Sequence, residues 1–229
     1  MESCKGITDL YLQEMEAILE FRALTQFAYL QFDRSANNGL KVKVQLRPTS
    51  KNLNTEEVNT KMKDYEKGFL PQLSFQNSVS IFESWFFDIL RLILKDKNRL
   101  NKKKKIDVSA IIECASIEEV VMKIVDVELN ELKYQKPADW FDYLNKFVNI
   151  TGPSEDEILE ISEIKASRDI IVHNDGVCNE IYIGKSFTKS RGVIGTPLCF
   201  DHDYVFSSWT FLNTVMENVG KELSEKIDA

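Results

Sequence analysis

Apolar side chains recur along most of this chain at three- and four-residue spacing, the pattern of helices that bury one face. From about Asp9 to Phe32 that period is carried by Leu10, Met15, Ile18, Leu19, Phe21, Leu24, Phe27 and Leu30, and it predicts a long first helix ended by Asn37-Asn38-Gly39. Lys41 to Leu46 alternates strictly and can form a short strand, closed by Pro48. From about Asn52 to Gly68 the chain is polar and charged, fitting either a surface helix or a mobile loop. Leu73 to about Leu94 is apolar nearly all round, which predicts the central helix of a bundle. Ser116 and Glu119 have capping-box spacing and open a helix that runs to about Tyr134. Lys136-Pro137-Ala138-Asp139 breaks it, and a short helix follows from Asp139 to about Asn149. Another capping box, Ser154 with Glu157, starts a helix that ends at Asn174-Asp175-Gly176, where Gly176 can take a left-handed cap. Glu180 to Gly184 predicts an extended piece, and a last helix spans about Tyr204 to Ile227. The expected fold is mainly α: a bundle of about five to six helices with a small β addition. Residues 1–69 form an N-terminal helix and extension of no assigned role, and residues 70–229 form the bundle, the two making one compact unit.

The helix after Ser154 is unusual for the polar groups it mixes with aliphatic ones. At about 100° per residue, Arg168 falls in the middle of a stripe of Ile161, Ile164, Ile171 and Val172. His173 lies roughly 140° round from Arg168, near Leu159, Ala166 and Ile170. Ser162 and Asp169 sit between the two, and Asp169 is one turn before His173, where helix side chains meet. A guanidinium amid aliphatic side chains is costly unless a carboxylate, a partner subunit or a phosphate pairs with it. Glu83 stands in the very apolar helix and needs a cation in the same way, so a Glu83–Arg168 pair would explain both.

Composition narrows the function classes. The chain has 229 residues, 43% hydrophobic and 28% charged, the balance of an ordinary globular protein. It has no apolar run long enough to cross a bilayer and no secretory layout at Met1-Glu2-Ser3-Cys4, so no membrane partner and a cytoplasmic location are expected. Cys4, Cys114, Cys178 and Cys199 are irregularly spaced, which fits neither a zinc site nor a disulfide framework. Cys178 reads as a small buried hydrophobe before it reads as a reactive thiol. Asp201-His202-Asp203 suggests metal ligands, but adjacent loop residues do not converge on one ion, and no metal or other cofactor is expected. Net charge is −7, against indiscriminate nucleic-acid binding. The positive charge is nevertheless clustered, with Lys102, Lys103, Lys104 and Lys105 in one run. That run reads as a solvated loop between helices or as an arm that attracts a polyanion.

The Arg-x-x-x-x-His spacing near the end of a late helix resembles the signature of HEPN domains. Arg168-Asp169, then His173-Asn174-Asp175-Gly176, with Asn179 and Tyr182 beyond, follow that pattern. Ser162-Glu163-Ile164 and the segment Ile81-Phe82-Glu83-Ser84-Trp85 are similar to bacterial members, and the resemblance covers roughly residues 70–225. It implies a metal-independent endoribonuclease, a toxin or antiviral effector, working as a homodimer through the motif helix and opposed by a cognate antitoxin or regulator. Such cleavage uses the ribose 2′-hydroxyl to attack phosphorus and leaves a 2′,3′-cyclic phosphate. His173 suits proton transfer, because histidine's unperturbed pKa is about 6.5. Arg168 matches phosphate oxygens, Asp169 can orient His173, and Asn174 can donate to phosphate or cap the helix. Glu83 and Ser162 support the site, and the lysine run binds substrate. Across a dimer two arginines and two histidines share one groove, and the aliphatic stripe around Arg168 becomes the interface.

Two other readings use the same residues. A HEPN-type dimer without activity would bind RNA or nucleotide or act as a scaffold for a partner protein, with the motif closed inside the monomer. A helical interaction protein with no nucleic-acid role would fit the acidic charge best.

Overall fold

A computed structural model describes residues 3–48, 50–96, 99 and 111–228. Three helices carry the core. The first, α1 (Cys4–Asn37), starts at Ser3, whose hydroxyl accepts the Gly6 N–H at 3.0 Å. It packs against α3 (Leu70–Leu94) and the last helix, α8 (His202–Ile227), and further along, at Asp33, it meets α2 (Thr55–Asp64). Asp228, just past α8, accepts the Cys4 and Lys5 backbone N–H groups at 3.0 and 2.9 Å, so the two ends of the chain meet. The Trp85 indole donates to the Thr8 hydroxyl at 3.1 Å, and the Trp209 indole to the Met15 carbonyl at 2.8 Å. The apolar sequence of α3 is accounted for by this position, since Phe82, Trp85, Phe86, Ile89, Leu90 and Leu94 are all buried.

The N-terminal part is thus one core with the bundle. Beyond the bundle α1 runs on beside α2, and there Phe21, Leu24, Phe27 and Leu30 are exposed although the period marks them as inward positions. The polar stretch after Asn52 is helical: Asn54 and Glu57 form a capping box for α2, and a π-helical segment, Tyr65–Phe69, leads straight into α3. The predicted strand shrinks to β1 (Lys43–Val44), antiparallel to β2 (Leu53–Asn54) with Lys43 opposite Asn54.

Also against α3 stand α4 (Ile117–Lys133), α5 (Pro137–Asn145) and α6 (Glu155–Asn174). Phe86, Phe87, Trp140 and Phe141 interlock where α5 meets α3, with ring centroids 5.0–5.7 Å apart. The segment Glu180–Gly184 is not extended. It lies in a short helix, α7 (Glu180–Ser186), because the Asn179 side chain caps the Tyr182 N–H and gives the turn a start. The extended pairing falls just before it, where Val177 bridges Pro197. The eight helices named α1 to α8 are the six expected plus α2 and α7. None is long and apolar enough to cross a membrane.

Close packing of α8 on α1 rests on Gly220. A Cβ there would lie 2.5 Å from Thr8 Cγ2 and 2.6 Å from its Oγ1. Inside a helix Gly→Ala ordinarily stabilises by about 1 kcal/mol. Here the sign is expected to reverse: Gly220→Ala should lower stability by about 1–3 kcal/mol in a urea titration, as overpacked cores do.

Candidate active site

Helix α6 is polar on two faces, and each face is answered by other elements. The first is internal. Glu163 is 1% exposed, and its carboxylate accepts from the Tyr182 hydroxyl at 2.8 Å, the Tyr204 hydroxyl at 2.8 Å, the Ser167 hydroxyl at 2.6 Å and Arg191 Nε at 2.9 Å. The Arg191 guanidinium also lies 3.3 Å from the centre of the Tyr204 ring, and its Nη1 donates to the Cys199 carbonyl at 3.0 Å. Burial opposes the charge of Arg191, but Tyr204 and Glu163 outweigh it and raise its pKa. Burial, with Glu163 alongside, raises the pKa of Tyr182 and of Tyr204, so both hydroxyls stay protonated as donors. This cluster ties α7, the loop 187–201 and α8 to α6. Sequence reasoning passed over it, since Glu163 and Arg191 are 28 residues apart and the loop carries no periodic signal. The four-residue spacing of Glu163 and Ser167 was the one local sign.

The second polar face opens on a cleft of about 880 Å³. Its floor is the α6 row Ser162, Lys165, Ala166, Asp169, Ile170 and His173, whose spacings of three and four residues put them on one side of the helix. Glu83, Ser84 and Phe87 of α3 form one wall, the turn from α4 to α5 forms a lip, and Asn179, Ile181 and Lys185 of α7 close the end beside His173. The expected pair is present: Arg168 Nη2 meets Glu83 Oε2, while Lys165 reaches Glu83 Oε1 at 2.9 Å. Both Arg168 and Glu83 are four-fifths buried, so their attraction is poorly screened. Arg168 Nε has no hydrogen-bond partner among the described residues.

Asp169 departs from its expected part. Its carboxylate contacts Lys185 at 3.2 Å, Arg168 at 3.3 Å and Lys165 at 3.7 Å, and among the described residues it accepts no hydrogen bond from His173. The spacing of one turn is met, but three cations take this carboxylate instead. His173 is exposed at the edge of the cleft and makes no side-chain hydrogen bond among the described residues. Its backbone is nevertheless fixed. Asp175 and Gly176 both take left-handed conformations, the Gly176 N–H returns to the Ile170 carbonyl at 2.9 Å, and α6 stops one residue after the imidazole. The Asn174 amide donates to the Val177 carbonyl at 2.5 Å, so Asn174 is a capping residue that also lines the cleft. Ser162 lines it too, its hydroxyl donating back to the Ile158 carbonyl at 2.8 Å.

Five of the predicted side chains therefore meet in one place with Glu83: Arg168, Asp169, His173, Asn174 and Ser162. Lys102, Lys103, Lys104 and Lys105 lie outside the described residues. The stripe around Arg168 needs correction as an interface, because Ile161 and Ile164 are buried in the monomer core and only Val172, half exposed, remains for a partner. Cys178 is buried against Gly192, and burial raises its thiol pKa, as suits a packing residue. His202 is exposed at the start of α8, away from the cleft. Among the described residues no group of three His, Cys, Asp or Glu side chains converges as a metal site would.

The charged side chains lining the cleft are Lys133, Lys136, Lys165, Arg168 and Lys185 against Glu83, Asp139 and Asp169. Five cations against three carboxylates make this a positive hollow in a chain of net charge −7. No protein-family model, no curated protein and no solved structure matches the chain.

Glu163→Ala should strand Arg191 and both tyrosine hydroxyls. A loss on the order of 3 kcal/mol is expected in chemical denaturation, the scale for breaking a buried ion pair on one side. A change under about 0.5 kcal/mol, the scale of an uninvolved surface site, would show that the cluster does not hold the loop.

Proposed function

We propose that this protein is a metal-independent endoribonuclease of HEPN type, with its reaction centre in the cleft between α3 and α6. One observation carries the reading. A paired, largely buried arginine and an unengaged histidine share one positively charged hollow, the former fixed by Glu83 and the latter by the cap of α6.

The chemistry needs few parts. The 2′-hydroxyl of the substrate ribose attacks the adjacent phosphorus as its proton leaves. The bond from phosphorus to the 5′-oxygen then breaks, and that oxygen collects a proton. The products are a 2′,3′-cyclic phosphate and a 5′-hydroxyl. His173 is the proton-transfer group, for which histidine's ordinary pKa near neutrality is suited. Arg168 stabilises the negative charge on the phosphorane through planar N–H donors already oriented by Glu83. Lys165 and Lys185 add charge, and Asp169 holds those two ammonium groups at the cleft floor. In this reading Asp169 positions cations and does not relay the proton. Base and acid are two tasks, and His173 is the one histidine lining the cleft. A second copy supplies the other imidazole in a homodimer, with exposed Val172 and Ile181 beside His173 as the apolar edge where copies would meet. The resemblance extends to toxins and antiviral effectors, and an antitoxin or regulator would be a natural partner for such an enzyme.

A second reading has an observation of its own. Glu83 already satisfies one end of Arg168, as a protein that keeps its motif closed would require. That protein would bind RNA or nucleotide without cutting it.

Purified wild type and variants incubated with total RNA in EDTA, with product ends mapped, decide between them. His173→Ala is expected to keep its fold and lose cleavage by about 10²–10⁴-fold, the usual contribution of a general acid or base. Retained cleavage in that variant would sink the mechanism. Arg168→Ala is expected to lose cleavage as well and to melt lower, because Glu83 then keeps only Lys165. Normal cleavage by Arg168→Ala would remove the phosphate role. Binding without cleavage by any of the proteins would favour the second reading.

A further inference from the structure

The cleft is lined by more residues than the reaction centre uses. Its lining includes the turn between α4 and α5, and there the Tyr134 ring is 91% exposed, with no hydrogen bond or ring contact to any other described residue. An aromatic ring presented to solvent is costly in apolar area, and the turn that presents it is stiff. Tyr134 ends α4, the Gln135 N–H returns to the Leu132 carbonyl at 2.9 Å, and Pro137 fixes the entry to α5. The buried Trp140 indole clamps the same Leu132 carbonyl at 2.8 Å. The cations on either side are also held in place. Lys133 Nζ lies 5.2 Å from the centre of the Phe87 ring, and Lys136 Nζ lies 5.0 Å from that of Phe187. A bare aromatic ring on a fixed backbone turn, with lysines at positions 133 and 136 around it and in one hollow with Arg168 and His173, is the combination that binds a base and its flanking phosphates.

We propose that Tyr134 is a base-stacking platform that makes the cleft specific for single-stranded RNA and sets the strand's register on the reaction centre. The inference takes the RNA of the proposed function as its ligand. A base can reach the Tyr134 ring only when it is unstacked from its neighbours, which a duplex does not allow without opening. The phosphates next to that base lie over Lys133 and Lys136, and the strand continues along the floor to Arg168 and His173. Stacking accepts every base, so the platform selects strandedness and not sequence. An acidic peptide would use the lysines and leave the ring idle.

The test measures binding apart from cleavage. In a His173→Ala background, a labelled single-stranded oligoribonucleotide is titrated by fluorescence anisotropy, with the matching duplex, a mononucleotide and oligoglutamate as competitors. Tyr134→Ala is expected to weaken single-strand binding by roughly five- to 150-fold, the span of base–aromatic stacking, with the slope against salt unchanged. Tyr134→Trp and Tyr134→Phe should restore it, and thermal melts of all variants should coincide. Duplex should compete poorly with the Tyr134 protein and relatively better with Tyr134→Ala, and a mononucleotide should bind the Tyr134 protein more tightly than Tyr134→Ala. Equal single-strand affinity in Tyr134→Ala overturns the proposal, as do preference for duplex, displacement by oligoglutamate regardless of residue 134, and absence of RNA binding. Tyr134-dependent binding in a protein that never cuts RNA would sink the nuclease reading and leave this one standing. Cleavage that depends on His173 and ignores Tyr134 would do the reverse.

Discussion

A carboxylate in a protein interior must be matched by donors, or the helix that carries it cannot stay packed, and Glu163 is matched four times. Folded domains have only about 5–15 kcal/mol in hand, so an unpaired charge at this depth would consume a large part of that margin. The requirement fixes far more than one side chain. Tyr182 comes from α7, Arg191 from the long loop and Tyr204 from α8, and each must arrive for the carboxylate to be satisfied. The rotation of α6 about its own axis is set by that demand. Once Glu163 points inward, the row from Ser162 to His173 must face the cleft.

The cleft solves a different charge problem. Three carboxylates and five cations are brought within one hollow, and the carboxylates anchor particular cations instead of cancelling the field evenly. Glu83 holds Arg168 and Lys165, while Asp169 holds Lys185. The cations are thereby preorganised, at less entropic cost than loose surface lysines would need on binding an anion. Fixed positive groups in a recess are what a dianionic phosphorane requires, and they are equally what a bound phosphodiester requires. This is why the same geometry serves both the proposed nuclease and a protein that only binds. His173 differs from the rest in having no partner to give up, so a substrate proton could reach it without breaking an existing contact.

Much of the bundle was legible along the chain because its signals are local. A capping box spans four residues, and Ser116 and Ser154 start their helices where that spacing says. Helix α3 is apolar on every side because it is central, which periodicity can express. The Glu83–Arg168 pair was legible for a related reason, since each is a charge misplaced in an apolar run and the chain offers few candidates for either. Other elements were not. The exposed face of α1 has the same period as a buried one, and α7 is too short to show a period at all, so its start is decided by the Asn179 cap.

The sequence by itself determined the helical class, the start and stop of several helices, and the grouping of Arg168, Asp169, His173 and Asn174 in the last two turns of one helix. Those follow from contacts within a few residues, where backbone geometry alone fixes neighbours. Tertiary structure decided which of these groups are engaged. It gave Asp169 to three cations instead of His173, set Asn174 to capping, and buried Ile161 and Ile164 inside the monomer instead of at an interface. It also joined Glu163 to Arg191 and placed Tyr134 at the lip of the same hollow as His173. Each of these outcomes is a competition among partners distant along the chain, and charge and shape decide such competitions only after the helices have packed.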